Sequence, residues 1–257
     1  MGILNVTPDS FSDGGRHTPD NAIAAGLAMR EAGADIVDVG GESTRPGAEP
    51  VTPLEEQART IPVIRALARA GILVSVDTRN AATMAAALDA GAAIVNDVSA
   101  LTHDPRAAAL VAARGCPVVL MHMRGTPQTM VSHAVYGDVA ADVAAELAMR
   151  VATAEAAGIA RAAIAIDPGF GFAKHAAHSL ALLRGLSGLH GLGLPILAGV
   201  SRKSFIGALT GEDDPARRLA GSLAAGLFAV ARGAAILRVH DVRETVQALR
   251  VWHKLGG

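Results

Sequence analysis

Short apolar segments recur along this chain, each followed by polar or glycine-rich residues and then by an alanine-rich stretch. Eight such segments lie at residues 3–6, 36–39, 72–77, 93–96, 118–121, 163–167, 196–199 and 235–239. Their lengths and flanking residues are typical of buried β-strands, and the alanine-rich stretches have the composition of helices. The alternation predicts successive βα units around a parallel sheet.

Signals at the predicted helix ends agree with this pattern. Thr52 followed by Pro53 predicts an N-cap and a first helical residue. Glycines that close alanine-rich stretches predict helix stops; they are Gly33, Gly71, Gly91, Gly115 and Gly158. The longest predicted helix spans about residues 138–157. No linker rich in serine and glycine interrupts the chain, so we expect one domain over residues 1–257.

Eight βα units in 257 residues, of which 51% are hydrophobic, favour a closed (β/α)8 barrel in a single domain. Periodicity alone also allows an open, doubly wound sheet.

Composition restricts the partners. The net charge is −1 and aromatic residues make up 3% of the chain, which lacks the basic surface and stacking platforms of nucleic-acid binders. We therefore expect small-molecule partners and no nucleic acid.

No apolar stretch reaches the roughly 18 residues of a membrane span, and the first residues do not resemble a secretory signal. Cys116 is the only cysteine, and we interpret it as a buried, unreactive thiol. Because the chain can form no internal disulfide, we expect a cytoplasmic protein.

Polar side chains follow nearly every predicted strand, where a (β/α)8 barrel carries its active site. They are Asn5, residues 41–45, Asp77, Asn96, Asp97, His122, Asp167, residues 201–203, Arg238 and His240. Each alone has a simpler explanation, such as a helix cap, which we prefer for Asp97. Their coincidence across the strands predicts a functional site.

The predicted site has two chemical halves. Carboxylate and amide groups of Asp77, Asn96 and Asp167 suit a flat heterocycle with several N–H donors, such as a pterin or guanine. The other half consists of cations that suit a phosphate-bearing anion; they are Arg45, Lys203, Arg238 and His240.

Familiar motifs are incomplete. Segment 169–174 begins like a dinucleotide fingerprint but has Lys174 in place of the third glycine. Segment 199–204 lacks the glycine before the lysine of a phosphate loop, and also the final glycine of a nucleophile elbow. His175 and His178 could share a helix face as metal ligands, although two surface histidines are the simpler interpretation.

Eight segments resemble, in order and spacing, the signature segments of the dihydropteroate synthases, a family of pterin-binding barrels. They read MGILNVTPDSFSDGG, DVGGESTRPG, SVDT, NDVS, LMHMRGTPQTM, DPGFGFAK, GVSRKSFIG and LRVHDV. The resemblance implies a (β/α)8-barrel transferase of folate biosynthesis, usually a homodimer, that joins (7,8-dihydropterin-6-yl)methyl diphosphate to 4-aminobenzoate with Mg²⁺. An N-terminal segment that often caps the barrel in this family is short or missing before Met1.

The resemblance also implies roles for single residues. The catalytic residues would be Asn5, Lys203, Arg238 and His240, with Asn5 nearest the metal. The pterin diphosphate site would contain Thr44, Asp77, Asn96, Asp167, Lys203, Arg238, Val239 and His240. The aminobenzoate site would contain Phe11, Thr44, Arg45, Pro46, Phe172 and Ser201. We expect loops 7–15 and 43–49 to complete the aminobenzoate site only after the other ligands bind.

Two other functions remain open. A pterin-binding methyltransferase-type barrel would share the pterin cluster but has no need of segments 201–204 and 238–240. A non-catalytic pterin-binding subunit would be expected to have lost charged positions, and none is visibly lost here.

Overall fold

The structure, a computed structural model, describes residues 1–7, 19–44 and 47–256. Within these ranges, strands alternate with helices from end to end. The strands are β1 (Gly2–Asn5), β2 (Ile36–Gly40), β3 (Leu73–Asp77), β4 (Ile94–Asp97), β5 (Val118–Met121), β6 (Ile164–Asp167), β7 (Leu197–Ala198) and β8 (Ile236–Leu237). The helices are α1 (Pro19–Glu31), α2 (Pro53–Arg69), α3 (Ala81–Asp89), α4 (Ala107–Arg114), α5 (Val139–Ala156), α6 (Ala176–Arg184), α7 (Ser204–Thr210), α8 (Leu219–Ala231) and α9 (Val242–Lys254).

Backbone pairing runs through all eight strands and returns to the first. Strands β1 to β6 pair in order, and β7 pairs with β8. Two single bridges join these groups, Ile166 with Ile196 and Gly2 with Val239. At the second bridge the amide of Ile3 donates to the carbonyl oxygen of Val239 over 2.9 Å. The sheet is therefore closed, which confirms the (β/α)8 barrel and excludes the open sheet.

All eight predicted strands are present, with ends that differ by at most two residues from the prediction. The helix signals are also confirmed. The hydroxyl of Thr52 accepts a hydrogen bond from the amide of Glu55, and Pro53 is the first residue of α2. The five predicted stop glycines all have positive φ, between 61° and 109°. Asp138 caps α5 by accepting from two backbone amides.

Alternate residues of each strand face the barrel interior or the surrounding helices. The outward residues are fully buried against the helices; on β2 to β4 they are Val37, Val39, Val74, Val76 and Val95. Cys116 is buried as predicted, and burial raises the pKa of its thiol. Among the described helices, none combines the length and apolar character needed to cross a membrane.

Candidate active site

The strand register brings three predicted side chains into one layer at the carboxyl end of the barrel. Asn5 pairs with Gly40, Gly40 with Asp77, and Asp77 with Asn96. Residues paired in register point to the same side of a sheet, so all three side chains project inward. A Cβ at Gly40 would lie 3.3 Å from the Cβ of Asp77. The glycine therefore leaves space beside Asp77.

Asp38 organises this layer from one level deeper on β2. It is fully buried, and its Oδ2 accepts from Asn96 Nδ2 at 2.9 Å and from Arg238 Nε at 2.6 Å. Its Oδ1 has no hydrogen-bond partner among the described residues. The strand-end pattern does not predict Asp38. The available signal was a lone carboxylate inside an otherwise apolar strand, since burying a charge requires partners.

Arg238 joins the two predicted halves of the site. Its Nη2 donates to Asp77 Oδ2 at 2.6 Å while its Nε binds Asp38. Burial opposes the charge of Arg238, but the two aspartates outweigh burial and raise its pKa. Burial raises the pKa of Asp77, and Arg238 opposes that rise. The two predicted halves are therefore in direct contact, because the arginine of the anion half is paired with carboxylates at the pterin half.

Asp167 ends β6 and is buried, with 6% of its surface exposed. Its Oδ1 accepts from the amide of Gly169 at 2.7 Å. Burial raises the pKa of Asp167; the Gly169 amide and then Lys203 oppose the rise. A Cβ at Gly199 would lie 3.9 Å from Asp167 Oδ2. That separation is an ordinary van der Waals contact, so Gly199 packs next to this second oxygen.

Lys203 and Phe172 meet beside Asp167. The Nζ of Lys203 lies 4.2 Å from the centre of the Phe172 ring, which is a cation–π contact. Phe172 lies in the turn after β6, and Lys203 precedes α7. The structure thus brings one residue of the predicted aminobenzoate site into contact with one residue of the predicted pterin site.

Ser201 and His240 join the loops that follow β7 and β8. Ser201 Oγ lies 3.1 Å from His240 Nδ1 and accepts from the His240 amide at 3.2 Å. Arg202 forms a two-point ion pair with Asp241, with Nε 3.0 Å from Oδ2. Burial, Arg202 and Arg238 lower the pKa of His240 to about 4. With this pKa, His240 is a neutral hydrogen-bonding group near neutral pH, which differs from the cation that its residue type suggests.

The other predicted site residues have simpler surroundings. Val239 is buried, and its amide donates to the carbonyl oxygen of Met1. Thr44 is half-buried beside the barrel mouth. None of the described residues hydrogen-bonds to the Asn5 side chain, which is half-buried. The predictions for Phe11, Arg45 and Pro46 lie outside the described residues.

Asp97 supports a turn rather than a helix. Its carboxylate accepts from the amides of Ser99 and Leu101 at 2.7 Å and 2.9 Å. Ala100 and Leu101 have φ angles of 51° and 63°, so these bonds stabilise an otherwise unfavourable backbone. The preferred interpretation of Asp97 as a cap on the next helix is wrong in detail, since α4 begins at Ala107 with Arg106 before it.

Loop 43–49 is anchored at positions that the motifs do not predict. At its base, Arg79 forms a two-point ion pair with Glu42, at 2.8 Å and 2.9 Å, and both side chains are buried. At its far end, Gln128 Nε2 donates to the carbonyl oxygen of Ala48 over 2.9 Å. Segment 127–128, after β5, therefore contacts the loop that carries Thr44.

The imidazoles of His175 and His178 lie 5.5 Å apart. No group of three or more His, Cys, Asp or Glu side chains with metal-binding geometry occurs in the part of the chain that the structure describes.

The fold and this cluster are those of a pterin-binding enzyme, and the family model described as "Pterin binding enzyme" matches residues 1–240. The chain is 49% identical over 253 residues to the dihydropteroate synthase of Escherichia coli (strain K12). This alignment covers 98% of the chain and 89% of that protein. A solved dihydropteroate synthase of Xanthomonas albilineans with 4-aminobenzoic acid is 51% identical, with a TM-score of 0.95 over 100% of this chain and 92% of that one. The structure of that enzyme with 7,8-dihydropteroate gives 49% identity and a TM-score of 0.91, over 100% and 93% of the two chains. The chain belongs to the dihydropteroate synthase family, as its signature segments imply.

Proposed function

We propose that this chain condenses (7,8-dihydropterin-6-yl)methyl diphosphate with 4-aminobenzoate to give 7,8-dihydropteroate and diphosphate. The single observation that carries the proposal is the cluster of Asp77, Asn96 and Asp167 at the open end of the barrel. The similar Xanthomonas enzyme binds 4-aminobenzoic acid and 7,8-dihydropteroate, which supports the same substrates here. Membership of the synthase family favours this reaction over the methyltransferase and the non-catalytic alternatives.

The pterin would lie against the acceptor groups of the site. Asp167 Oδ2 and the amide oxygen of Asn96 can accept from the amino and ring N–H groups of a pterin, because Asn96 Nδ2 already donates to Asp38. By accepting from Nδ2, Asp38 orients the Asn96 amide so that its oxygen is the atom available to the pterin. Lys203, beside Asp167 and Phe172, would donate to the ring carbonyl and a ring nitrogen.

The diphosphate would lie over β8, against Arg238, His240 and Ser201. Arg238 is held by two carboxylates, so its orientation is fixed before the substrate arrives. His240 is neutral, with Nδ1 beside Ser201, which leaves Nε2–H to donate to a diphosphate oxygen. Thr44 completes our proposed diphosphate end of the pterin site, and Val239 would border it, with its backbone amide and carbonyl oxygen bonded to Met1 and Ile3.

Mg²⁺ fits the donor set, because Asn5 offers a hard amide oxygen and Mg²⁺ keeps several waters beside substrate phosphates. When bound, the ion would neutralise charge on the diphosphate. Asn5 would hold it at the end of β1, in register with Gly40 and next to the Asp77 position.

The protein's task in the reaction is positioning and charge stabilisation. The bond between the methylene carbon and the diphosphate oxygen breaks as the nitrogen of 4-aminobenzoate bonds to that carbon, and the nitrogen then loses a proton to solvent. An arylamine is unprotonated near neutral pH, so no general base is required before attack. Arg238 and the His240 N–H would stabilise the growing charge of the leaving group, which is an electrostatic contribution to catalysis.

The aminobenzoate would enter beside Phe172 and Ser201, with Thr44 at the edge. We propose that Phe11, Arg45 and Pro46 complete this site from the two loops. The contacts of Ala48 with Gln128 and of Glu42 with Arg79 support a fixed frame on either side of residues 44–46.

We further propose one cytoplasmic domain over residues 1–257 that forms a homodimer. The 13-residue helix α8 carries no charged side chain. Its exposed residues are Ala220, Ala224, Phe228 and Ala231. Of these, Ala224 and Phe228 line a largely apolar groove together with exposed Leu209 of α7, and a second copy would cover this groove about a twofold axis. The free thiol of Cys116 suits a reducing compartment.

An activity assay tests the proposed reaction. Purified protein with the pterin diphosphate, 4-aminobenzoate and Mg²⁺ should release dihydropteroate and diphosphate in equal amounts, measured by chromatography and a coupled diphosphate assay. When 4-aminobenzoate is omitted, no dihydropteroate should form. Diphosphate should then appear only at the slow rate at which water hydrolyses the pterin diphosphate. Failure to form dihydropteroate with both substrates present would refute the proposal.

A further inference from the structure

Lys174 lies buried behind the site and has no part in the steps above. It is 7% exposed, and its Nζ contacts His122 Nδ1 at 2.9 Å, the Phe172 carbonyl oxygen at 2.9 Å and the Gly169 carbonyl oxygen at 3.1 Å. Burial lowers the pKa of Lys174 to about 7, and Asp167 opposes this shift. Below that pH the protonated lysine has three N–H donors, which match these three acceptors. The loss of this side chain would leave all three acceptors without their donor.

The two carbonyl groups belong to the turn that shapes the candidate site. Gly169 and Gly171 have φ angles of 69° and 78°, and Ala173 has 49°. The amide of Gly169 binds Asp167, and the turn presents Phe172 to Lys203. A Cβ at Gly169 would lie 2.1 Å from the His122 carbonyl oxygen, so the turn is packed directly on β5. Lys174 therefore stabilises this turn by donating to carbonyl oxygens near both of its ends, at Gly169 and at Phe172.

The third contact anchors the lysine to α5. His122 Nε2 lies 3.0 Å from Glu146 Oε2, and Arg124 Nε donates to the other Glu146 oxygen at 2.9 Å. Burial and then Lys174 lower the pKa of His122 to about 4, so the ring is neutral. A neutral ring that accepts at Nδ1 carries its proton on Nε2, and therefore donates to Glu146.

We propose that Lys174 is a positioning residue, which orients Asp167 and Phe172 together by binding the carbonyl oxygens of Gly169 and Phe172. It touches neither substrate. The proposal rests on the function proposed above, since Asp167 is assigned to the pterin and Phe172 to 4-aminobenzoate. It also explains why a lysine stands where a dinucleotide-binding loop would have its third glycine.

A positioning role and a purely structural role for Lys174 predict different effects on ligand affinity. If Lys174 supported only folding, its loss would lower the active fraction without changing the affinity of the folded molecules. Positioning requires weaker binding of pterin and 4-aminobenzoate. Diphosphate binding should be unaffected, because Arg238, Ser201 and His240 lie on other strands and are held by separate contacts.

The test compares Lys174→Met with Lys174→Arg, which keeps a cation. Lys254→Met makes the methionine change at an exposed site on α9 and serves as the matched control. Titration calorimetry at pH 6, where Lys174 is protonated, with a pterin lacking diphosphate should show about 10- to 100-fold weaker binding for Lys174→Met, as expected when bonds to a charged donor are lost. The KM for 4-aminobenzoate should rise, and pyrophosphate affinity with Mg²⁺ should stay within about twofold. Lys174→Arg should recover part of the pterin affinity, and the control should match the wild type.

A second variant covers the case in which Lys174→Met does not fold. Glu146→Gln loosens the His122 anchor of Lys174 but leaves the lysine itself bonded to the Gly169 and Phe172 carbonyl oxygens, so it should weaken pterin binding by a smaller factor and leave pyrophosphate binding unchanged. Pterin affinity equal to that of the wild type in the folded variants, or an equal loss for pyrophosphate, would overturn the proposal. Failure of the wild type itself to bind pterin and 4-aminobenzoate would instead refute the proposed function.

Discussion

Replacement of Asp38 by asparagine should damage both stability and pterin binding. Asp38 is fully buried and accepts two hydrogen bonds at one oxygen, from Arg238 and from Asn96. An asparagine of the same shape can keep its amide oxygen at the Oδ2 position, with its N–H₂ group at the position of the unpartnered Oδ1, but it removes the charge that binds Arg238. Arg238 would keep only Asp77 as an ionic partner.

The size of the effect follows from burial. Removing one member of a buried ion pair costs about 3–5 kcal/mol. Arg238 is 19% exposed and retains Asp77, so we expect the lower end of that range, about 3 kcal/mol. For a chain of this size, that corresponds to a fall of roughly 6–12 °C in Tm. Pterin affinity should fall by a smaller factor, roughly threefold to tenfold, because the bond from Asn96 to a neutral amide oxygen is weaker than its bond to a carboxylate.

Chemical denaturation and calorimetry with a bare pterin measure the two effects. Asp35→Asn is the matched control, because Asp35 is exposed just before β2, and its stability should stay within about 0.5 kcal/mol of wild type. If Asp38→Asn unfolds like the control and binds pterin like the wild type, Asp38 does not organise the site and the reasoning is wrong.

Three further predictions concern pH, assembly and the order of binding. Both His122 and His240 have pKa values lowered from 6.5 to about 4, so each should reduce stability by about 1.4 kcal/mol per pH unit as pH drops from 6.5 toward 4. The raised pKa values of Asp77 and Asp97 act in the opposite direction over this range. Denaturation at several pH values should therefore show a smaller loss of stability on acidification for His240→Asn than for the wild type, and equal pH dependence would contradict the neutral assignment. Ala224→Glu on α8 should convert a dimer to a monomer in sedimentation velocity, whereas Ala216→Glu, exposed outside the apolar groove, should not; a dimer that survives Ala224→Glu would rule out this interface. Labelled 4-aminobenzoate should bind in equilibrium dialysis only when pterin, pyrophosphate and Mg²⁺ are present, and comparable binding to the enzyme alone would mean that the pocket is preformed.

Much of the fold could be predicted because its signals are local. Apolar segments give the eight strands, and residues such as Thr52, Gly33 and Gly115 mark helix ends by their own backbone preferences. The position of Asp77 and Asn96 at strand ends follows from the same pattern. Closure of the barrel through Gly2 and Val239 is a long-range pairing, which periodicity alone leaves undecided.

Contacts between distant strands could not be predicted in the same way. Asp38 and Arg238 are 200 positions apart, and only the closed barrel shows that the arginine binds two carboxylates. Burial likewise makes His240 neutral, whereas its residue type suggests a cation. Lys174 looks in the sequence like a defect in a glycine motif, and its role depends on three acceptors that only the folded turn supplies.

The central claim is that the carboxylates at the barrel mouth bind a pterin, and titration of Asp167→Ala with a pterin that lacks diphosphate tests it most directly. The wild type should bind, and the variant should lose about 100-fold or more in affinity, because the pterin's donors would lose a charged acceptor in a buried site. Circular dichroism should verify that the variant is folded. A folded Asp167→Ala protein that binds pterin within about twofold of wild type would contradict the account.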